Sequence, residues 1–129
     1  MEFVVYIVIG LTVLFSYLAW KNNALFEKYL FSANRIVHHK EYFRMISHAF
    51  LHANWMHLIV NMLVLWSFGS ALMTYFGIVF GSLGALHWLL LYLLSIIASS
   101  LYSLFKHKNN AWYSAVGASG ATSAVVFAC

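Results

Sequence analysis

His57 and Asn61 lie four residues apart inside an apolar stretch of the sequence. On a helix the two side chains would stack on one face, one turn apart, so both could donate hydrogen bonds to the same small anion. Polar groups kept in hydrocarbon are candidates for function. A histidine near a membrane surface is also often solvated, and an asparagine in a span can simply bond a neighbouring helix. The pair alone leaves both interpretations open.

A second apolar stretch places a hydroxyl between small residues, Gly117-Ala118-Ser119-Gly120. Flanking glycines let a substrate backbone approach closely. The start of a helix also supplies backbone N–H groups and the positive end of its dipole to a developing oxyanion. Ser119 is therefore a candidate nucleophile. Small residues four apart, here Gly117 and Ala121, are also a common packing face between membrane helices, and on its own this motif favours packing.

His48 and His52 suggest a weaker third hypothesis, a metal site. Histidines four residues apart on a helix can bind zinc or copper, but no carboxylate or cysteine nearby completes a ligand set. On a continuous helix these two side chains would also point away from His57. We therefore do not expect a metal at this pair.

The composition excludes an ordinary soluble domain. The chain has 129 residues, of which 64% are hydrophobic and 8% charged, and it contains neither proline nor aspartate. These values lie outside the usual range of globular proteins. The net charge of +4 is spread over two loops, a pattern that fits the lipid bilayer and not a nucleic acid. The sequence predicts an all-α, multi-pass integral membrane protein.

Uncharged runs divide the chain into spans. The first span is residues 3–20, and most of the formal charges fall in residues 21–44, which predicts a wet or interfacial connection. Residues 45–105 carry no charge and are too long for one helix at about 1.5 Å per residue. Gly69, Gly77, Gly81 and Gly84 mark the expected turn.

These turn residues place a second span near 46–68 and a third near 84–105. A fourth apolar segment, 113–129, ends without a cap or a basic anchor. We expect the chain to stop inside its fourth helix, as a single membrane domain, 1–129, that is incomplete at its C-terminus.

Taken together, the two motifs resemble those of the rhomboid family of intramembrane serine proteases. Residues 41–62 resemble the family's entry into its second helix, with Arg44 after the first loop and then the H-x-x-x-N pair. Residues 117–120 resemble the G-x-S-G motif at the start of the fourth helix. The motifs occur in the family's order, on the second and fourth of four predicted spans, and the resemblance extends from about Glu41 to the end of the chain.

The resemblance implies a polytopic helical bundle, with four helices of a six-helix fold present. It implies that Ser119 is the nucleophile, that His57 and Asn61 form the oxyanion hole with the Ser119 backbone N–H, and that Gly117 and Gly120 are the motif glycines. The implied reaction is hydrolysis of a peptide bond in a transmembrane protein substrate, and it implies no metal and no organic cofactor.

The resemblance places the general base, a histidine, on the sixth helix. The base would then lie beyond Cys129, and residues 1–129 alone are expected to be inactive. Other histidines present in the chain are expected to be in the wrong place to serve: His48, His52, His87 and His107.

Two other functions remain open at this stage. One is a catalytically inactive rhomboid-like membrane protein that binds clients, and the other is an unrelated small helical membrane protein in which Ser119 only packs.

The orientation of the chain in the membrane is also open. The positive-inside rule places loops 21–44 and 106–108 in the cytoplasm, whereas the resemblance places them outside, where the site would open. We follow the resemblance and expect a bacterial inner membrane or a plasma membrane.

Overall fold

The computed structural model describes residues 2–107 and residues 114–115. Six α-helices follow one another in this part of the chain, with a short 3₁₀ turn before the fifth and another before the sixth. Two short strands, β1 (Phe31–Ser32) and β2 (Ser114–Ala115), pair antiparallel, with Phe31 opposite Ala115. The helices are α1 (Glu2–Lys21), α2 (Asn23–Tyr29), α3 (Ala33–His39), α4 (Arg44–Ser47), α5 (Trp55–Phe80) and α6 (Gly84–His107).

Two helical stretches are long and apolar enough to cross a membrane. They are Phe3–Lys21, which is nearly all of α1, and Trp55–His107, which contains both α5 and α6. The helical, membrane-type fold expected from composition is confirmed at this level, and the four-span count stays a prediction. Most of the fourth expected span, 113–129, lies outside the described residues. Its described residues, 114–115, form β2 and not a helix.

The bounds expected for the second helix are corrected. The charge pattern predicts it near 46–68, but α5 begins at Trp55. The Asn54 side chain caps the helix there and accepts a hydrogen bond from the His57 backbone N–H at 2.9 Å. The helix does not turn at Gly69 and continues to Phe80. The turn comes at Gly81, whose φ of 61° favours glycine.

The hairpin of α5 and α6 depends on close approach between the helices. A Cβ added at Gly84 would lie 3.0 Å from the backbone nitrogen of Gly77, so small residues are needed at this crossing. Further along, the Trp88 indole N–H donates to the Gly69 carbonyl oxygen at 3.1 Å. In lipid, such packing and interhelical hydrogen bonds hold helices together, because burial from water no longer drives their association. The third helix, expected near 84–105, agrees with α6.

The core lies where α1 packs against this hairpin. Buried side chains from all three helices form one cluster, which includes Val5, Leu65, Leu72, Trp88 and Ile96. Large apolar side chains on the outer faces remain exposed, among them Ile78 and Leu94, as expected for helices that face lipid. The helices α2, α3 and α4 form the connection between α1 and α5, so the first residues of α5 lie beside this connection and beside α1.

Candidate functional site

The candidate pair lies on the first two turns of α5, as the spacing predicted. His57 is half-buried, and its backbone N–H is held by Asn54. Asn61 is buried, and its side-chain Nδ2 donates to the His57 carbonyl oxygen at 2.8 Å. A carboxamide has two N–H groups, so the bond within the helix fixes the direction of the second one. These bonds hold the Asn61 carboxamide and the His57 backbone in place at the start of α5.

The other predicted site residues, Ser119, Gly117 and Gly120, lie outside the described residues. Their roles, and those of His57 and Asn61 as oxyanion donors, stay predictions.

His52 contacts His57, which sequence reasoning missed. The sequence predicts His52 on the same helix as His57, with its side chain pointing elsewhere. This is wrong, because the helix starts only after Asn54 and His52 lies in the preceding non-helical segment. The His52 side chain is completely buried, and its ring centroid lies 5.1 Å from that of His57, with the ring planes at 67°.

Helix α1 holds His52 in this position. The Trp20 indole N–H donates to the His52 carbonyl oxygen at 2.6 Å, and the Ser16 hydroxyl oxygen lies 3.3 Å from His52 Nδ1. Ser16 and Trp20 are one turn apart on α1, so both face the same segment. Ser16 is a polar residue in the first span, and this was the available sequence signal, although nothing in the sequence distinguished it from Thr12 or named its partner.

His48 is directed to a different helix. Its Nε2 lies 2.8 Å from the Ser100 hydroxyl of α6, and that hydroxyl donates to the Met45 carbonyl oxygen. Burial lowers the pKa of His48 to about 4, although the hydrogen bond with the Met45 backbone partly opposes the shift. Burial, and then the nearby charge of His57, lower the pKa of His52 to about 4. Both imidazoles are therefore neutral near pH 7.

The two-histidine metal hypothesis loses its geometric basis, because His48 and His52 have separate hydrogen-bond partners on α6 and α1. Within residues 2–107 and 114–115, no group of three or more potential ligands comes together.

Arg44 organises the connection beside the site. Its side chain is buried, and Nη1 donates to the carbonyl oxygens of Glu27 and Leu30, both at 2.9 Å. Its Nε and Nη2 contact Glu41 Oε1 at 3.1 and 3.0 Å. Partial burial raises the pKa of Glu41, but the hydrogen bond and charge of Arg44, with help from Arg35, outweigh it and lower the pKa below 4.5. The guanidinium thereby joins α2 to α4.

His87 lies far from the candidate pair, as the sequence indicated. Its Nδ1 lies 2.8 Å from the Leu83 carbonyl oxygen, and its ring stacks on Phe80 with centroids 3.9 Å apart. Phe80 ends α5, so the length of that helix, roughly 35 Å between residues 57 and 80, separates His87 from His57. His87 therefore does not belong to the candidate site.

Comparison with known proteins agrees with this architecture. The Rhomboid domain family matches residues 39–129, well over half of the chain, so the chain belongs to the rhomboid family. It is an integral membrane protein. The mitochondrial Rhomboid protein 1 of Saccharomyces cerevisiae is 46% identical over 63 residues, covering 49% of this chain and 16% of that protein. The chain thus spans only a small part of this relative's length. No solved structure matches the chain.

Proposed function

We propose that this chain is part of an intramembrane serine endopeptidase that hydrolyses peptide bonds in transmembrane protein substrates. Ser119 is the nucleophile, and His57 and Asn61 donate hydrogen bonds to the oxyanion. Gly117 and Gly120 give the substrate backbone access to the Ser119 hydroxyl. The proposal rests on family membership together with the arrangement at the start of α5.

The observation that carries this proposal is the fixed pair of donors at the start of a helix. Asn61 is bonded to the His57 carbonyl oxygen, and His57 is held by the Asn54 cap and by the His52 ring. Donors that are already positioned need no reorganisation when negative charge develops, and each is worth about 10²–10³ in rate in soluble serine proteases. A half-buried imidazole beside a buried carboxamide fits this role.

The proposed reaction has two steps. The Ser119 oxygen attacks the substrate carbonyl carbon while a histidine base takes its proton, and the carbonyl oxygen becomes the oxyanion bound by His57 and Asn61. The C–N bond then breaks, the amine leaves with that proton, and an acyl-enzyme remains. Water attacks the acyl carbon by the reverse sequence and frees Ser119. In this proposal the base is a histidine that residues 1–129 do not supply.

The membrane environment sets the substrate requirement. A helix hides its amides in internal hydrogen bonds, so the substrate helix must unwind locally before its carbonyl can reach Ser119. The substrates are therefore transmembrane proteins, presented from the bilayer. The bacterial inner membrane or plasma membrane expected from the sequence stays a prediction, since the yeast relative is a mitochondrial protein.

The test uses the full-length protein in membranes, with a tethered transmembrane substrate and a fluorophosphonate probe. Ser119→Ala should abolish both cleavage and labelling while expression is unchanged. Ser114→Ala is the matched control because Ser114 is exposed on β2, and it should retain both. Cleavage that persists in Ser119→Ala would show that Ser119 is not the nucleophile. A wild-type protein that neither cleaves nor reacts with the probe would favour the inactive, client-binding alternative.

A further inference from the structure

The hydroxyl of Ser16 is buried in the first membrane helix and joins two distant parts of the chain. Ser16 has no exposed surface. Its Oγ donates to the Phe50 carbonyl oxygen at 2.8 Å and lies 3.3 Å from His52 Nδ1. A hydroxyl that reaches 34 and 36 residues along the chain differs from most serines and threonines in membrane helices, which bond their own helix backbone.

The two contacts of Ser16 determine the tautomer of His52. A hydroxyl has one proton to donate, and the Phe50 carbonyl oxygen, which has no proton, takes it. The remaining contact must therefore run the other way, with His52 Nδ1–H donating to the Ser16 oxygen. Burial keeps His52 neutral near pH 7, so its Nε2 carries a lone pair.

His52 connects α1 to the candidate site, because it is held by α1 and contacts His57. Its backbone is held by Trp20 and its Nδ1 by Ser16, both on α1. Its ring packs edge-on against the His57 ring, with centroids 5.1 Å apart. Because His52 is completely buried, its ring has little room to rotate, so it forms a fixed wall against one side of the His57 imidazole.

We propose that Ser16 and His52 are positioning residues, which lock the His57 imidazole in the orientation that binds an oxyanion. The first membrane helix therefore takes part in the site although it carries none of the site residues predicted from the sequence. The catalytic consequence rests on the proposed protease function, whereas the orientation of His57 does not.

Thr12 provides a matched control on the same helix. It is also completely buried, but its hydroxyl donates to the Val8 carbonyl oxygen within α1, at 2.7 Å. Thr12→Val therefore removes a buried hydroxyl without touching His52. If Ser16 only stabilised α1, then Ser16→Ala and Thr12→Val would have similar effects.

The first measurement is ¹⁵N NMR of the imidazoles in the full-length protein, labelled at histidine and held in nanodiscs. Unaltered protein should show His52 protonated on Nδ1. In Ser16→Ala the ring signals of His57 should shift, while Thr12→Val leaves them unchanged and Ser16→Thr restores them. His52 protonated on Nε2, or His57 signals unchanged in Ser16→Ala, would overturn the proposal. If Ser16→Ala fails to fold, the measurement on unaltered protein can still overturn the proposal, because it reports the tautomer of His52 directly.

The second measurement is substrate cleavage by the same variants. A small misplacement of a catalytic group can cost about 10²-fold in rate, so Ser16→Ala should lower kcat by about 10- to 10²-fold with KM unchanged. An effect confined to KM, or one matched by Thr12→Val, would contradict a positioning role. Because the NMR experiment needs no turnover, an enzyme that never cleaves would refute the proposed function while the shift of His57 would still support the positioning of its ring.

Discussion

Replacing Arg44 by alanine tests whether one buried guanidinium holds the connection between α1 and α5 in place. Arg44 donates to two backbone oxygens of the α2 region, those of Glu27 and Leu30. Alanine removes both donors and leaves the Leu30 carbonyl, which lies in a buried position, without this partner. We expect α2 to separate from α4 and the whole domain to lose stability.

The size of the loss follows from these contacts. Hydrogen bonds that involve a charged group contribute about 1.5–3 kcal/mol each, and Arg44 makes two of them to carbonyl oxygens at 2.9 Å. Removing one partner of a buried ionic network usually costs about 3–5 kcal/mol. We therefore expect Arg44→Ala to lower the free energy of unfolding by about 3–5 kcal/mol. Arg44→Lys should recover only part, because an ammonium lacks the planar fork that reaches several acceptors.

Arg35→Ala is the matched control. Arg35 contacts the same carboxylate, Glu41, through a single approach of 3.5 Å, and its side chain is 57% exposed. Exposed pairs of this kind contribute about 0–1 kcal/mol. Unfolding in mixed micelles, titrated with SDS and followed by tryptophan fluorescence, measures all three variants. Equal losses for Arg44→Ala and Arg35→Ala would refute the reasoning.

The pH dependence provides a second readout of the same contact. Since the folded-state pKa of Glu41 lies below its ordinary 4.5, ionised Glu41 stabilises the fold above that value. This contribution is lost as the pH falls through the lower folded-state pKa. In Arg44→Ala the contribution should shrink, because its main cationic partner is gone. An unchanged acid profile would contradict the pairing.

Three further predictions concern the site and the helix crossing. His57→Ala and Asn61→Ala in the full-length protein should each lower kcat by about 10²–10³ with KM little changed; a loss seen only in thermal stability would indicate a packing role. Gly84→Ala should destabilise the α5–α6 hairpin, since its Cβ would press on backbone at 3.0 Å, whereas Gly10→Ala, with nothing within 4 Å, should be neutral or stabilising in unfolding titrations. The chain as it stands should enter membranes but cleave no substrate in a purified assay, and cleavage that Ser119→Ala abolishes would show that one of its own histidines acts as the base.

The helix boundaries show what charge patterning could and could not predict. The ends of α1 and the start of α6 follow from the charged residues and from Gly84. The bounds of α5 do not, because composition cannot separate a glycine that turns the chain from one that packs against another helix. Gly69 accepts a hydrogen bond from Trp88 inside a continuous helix, whereas Gly81 makes the turn with a positive φ. That distinction depends on the partner helix.

The candidate site also has one part that the sequence predicted and one part that it did not. The spacing of His57 and Asn61 was enough to place them on one helix, because a repeat of four residues is a local property. The contact of His52 with His57 was not predictable, since it requires the helix to start late and requires a serine 36 residues earlier to hold the ring. Contacts between buried polar groups that are far apart in the sequence produce no regular spacing from which they could be predicted.

The way in which Arg44 holds the connection has a consequence for how this protein can diverge. Arg44 binds the main-chain oxygens of residues 27 and 30, and Ser47 likewise donates to the main-chain oxygen of Tyr29 at 2.8 Å. Every residue type offers a carbonyl oxygen, so these bonds do not depend on which side chains α2 carries. The outward-facing residues of α2 can therefore be substituted during evolution to suit bilayers of different thickness or charge. The bonds of Arg44 and Ser47 to the main chain, which support the site, are kept.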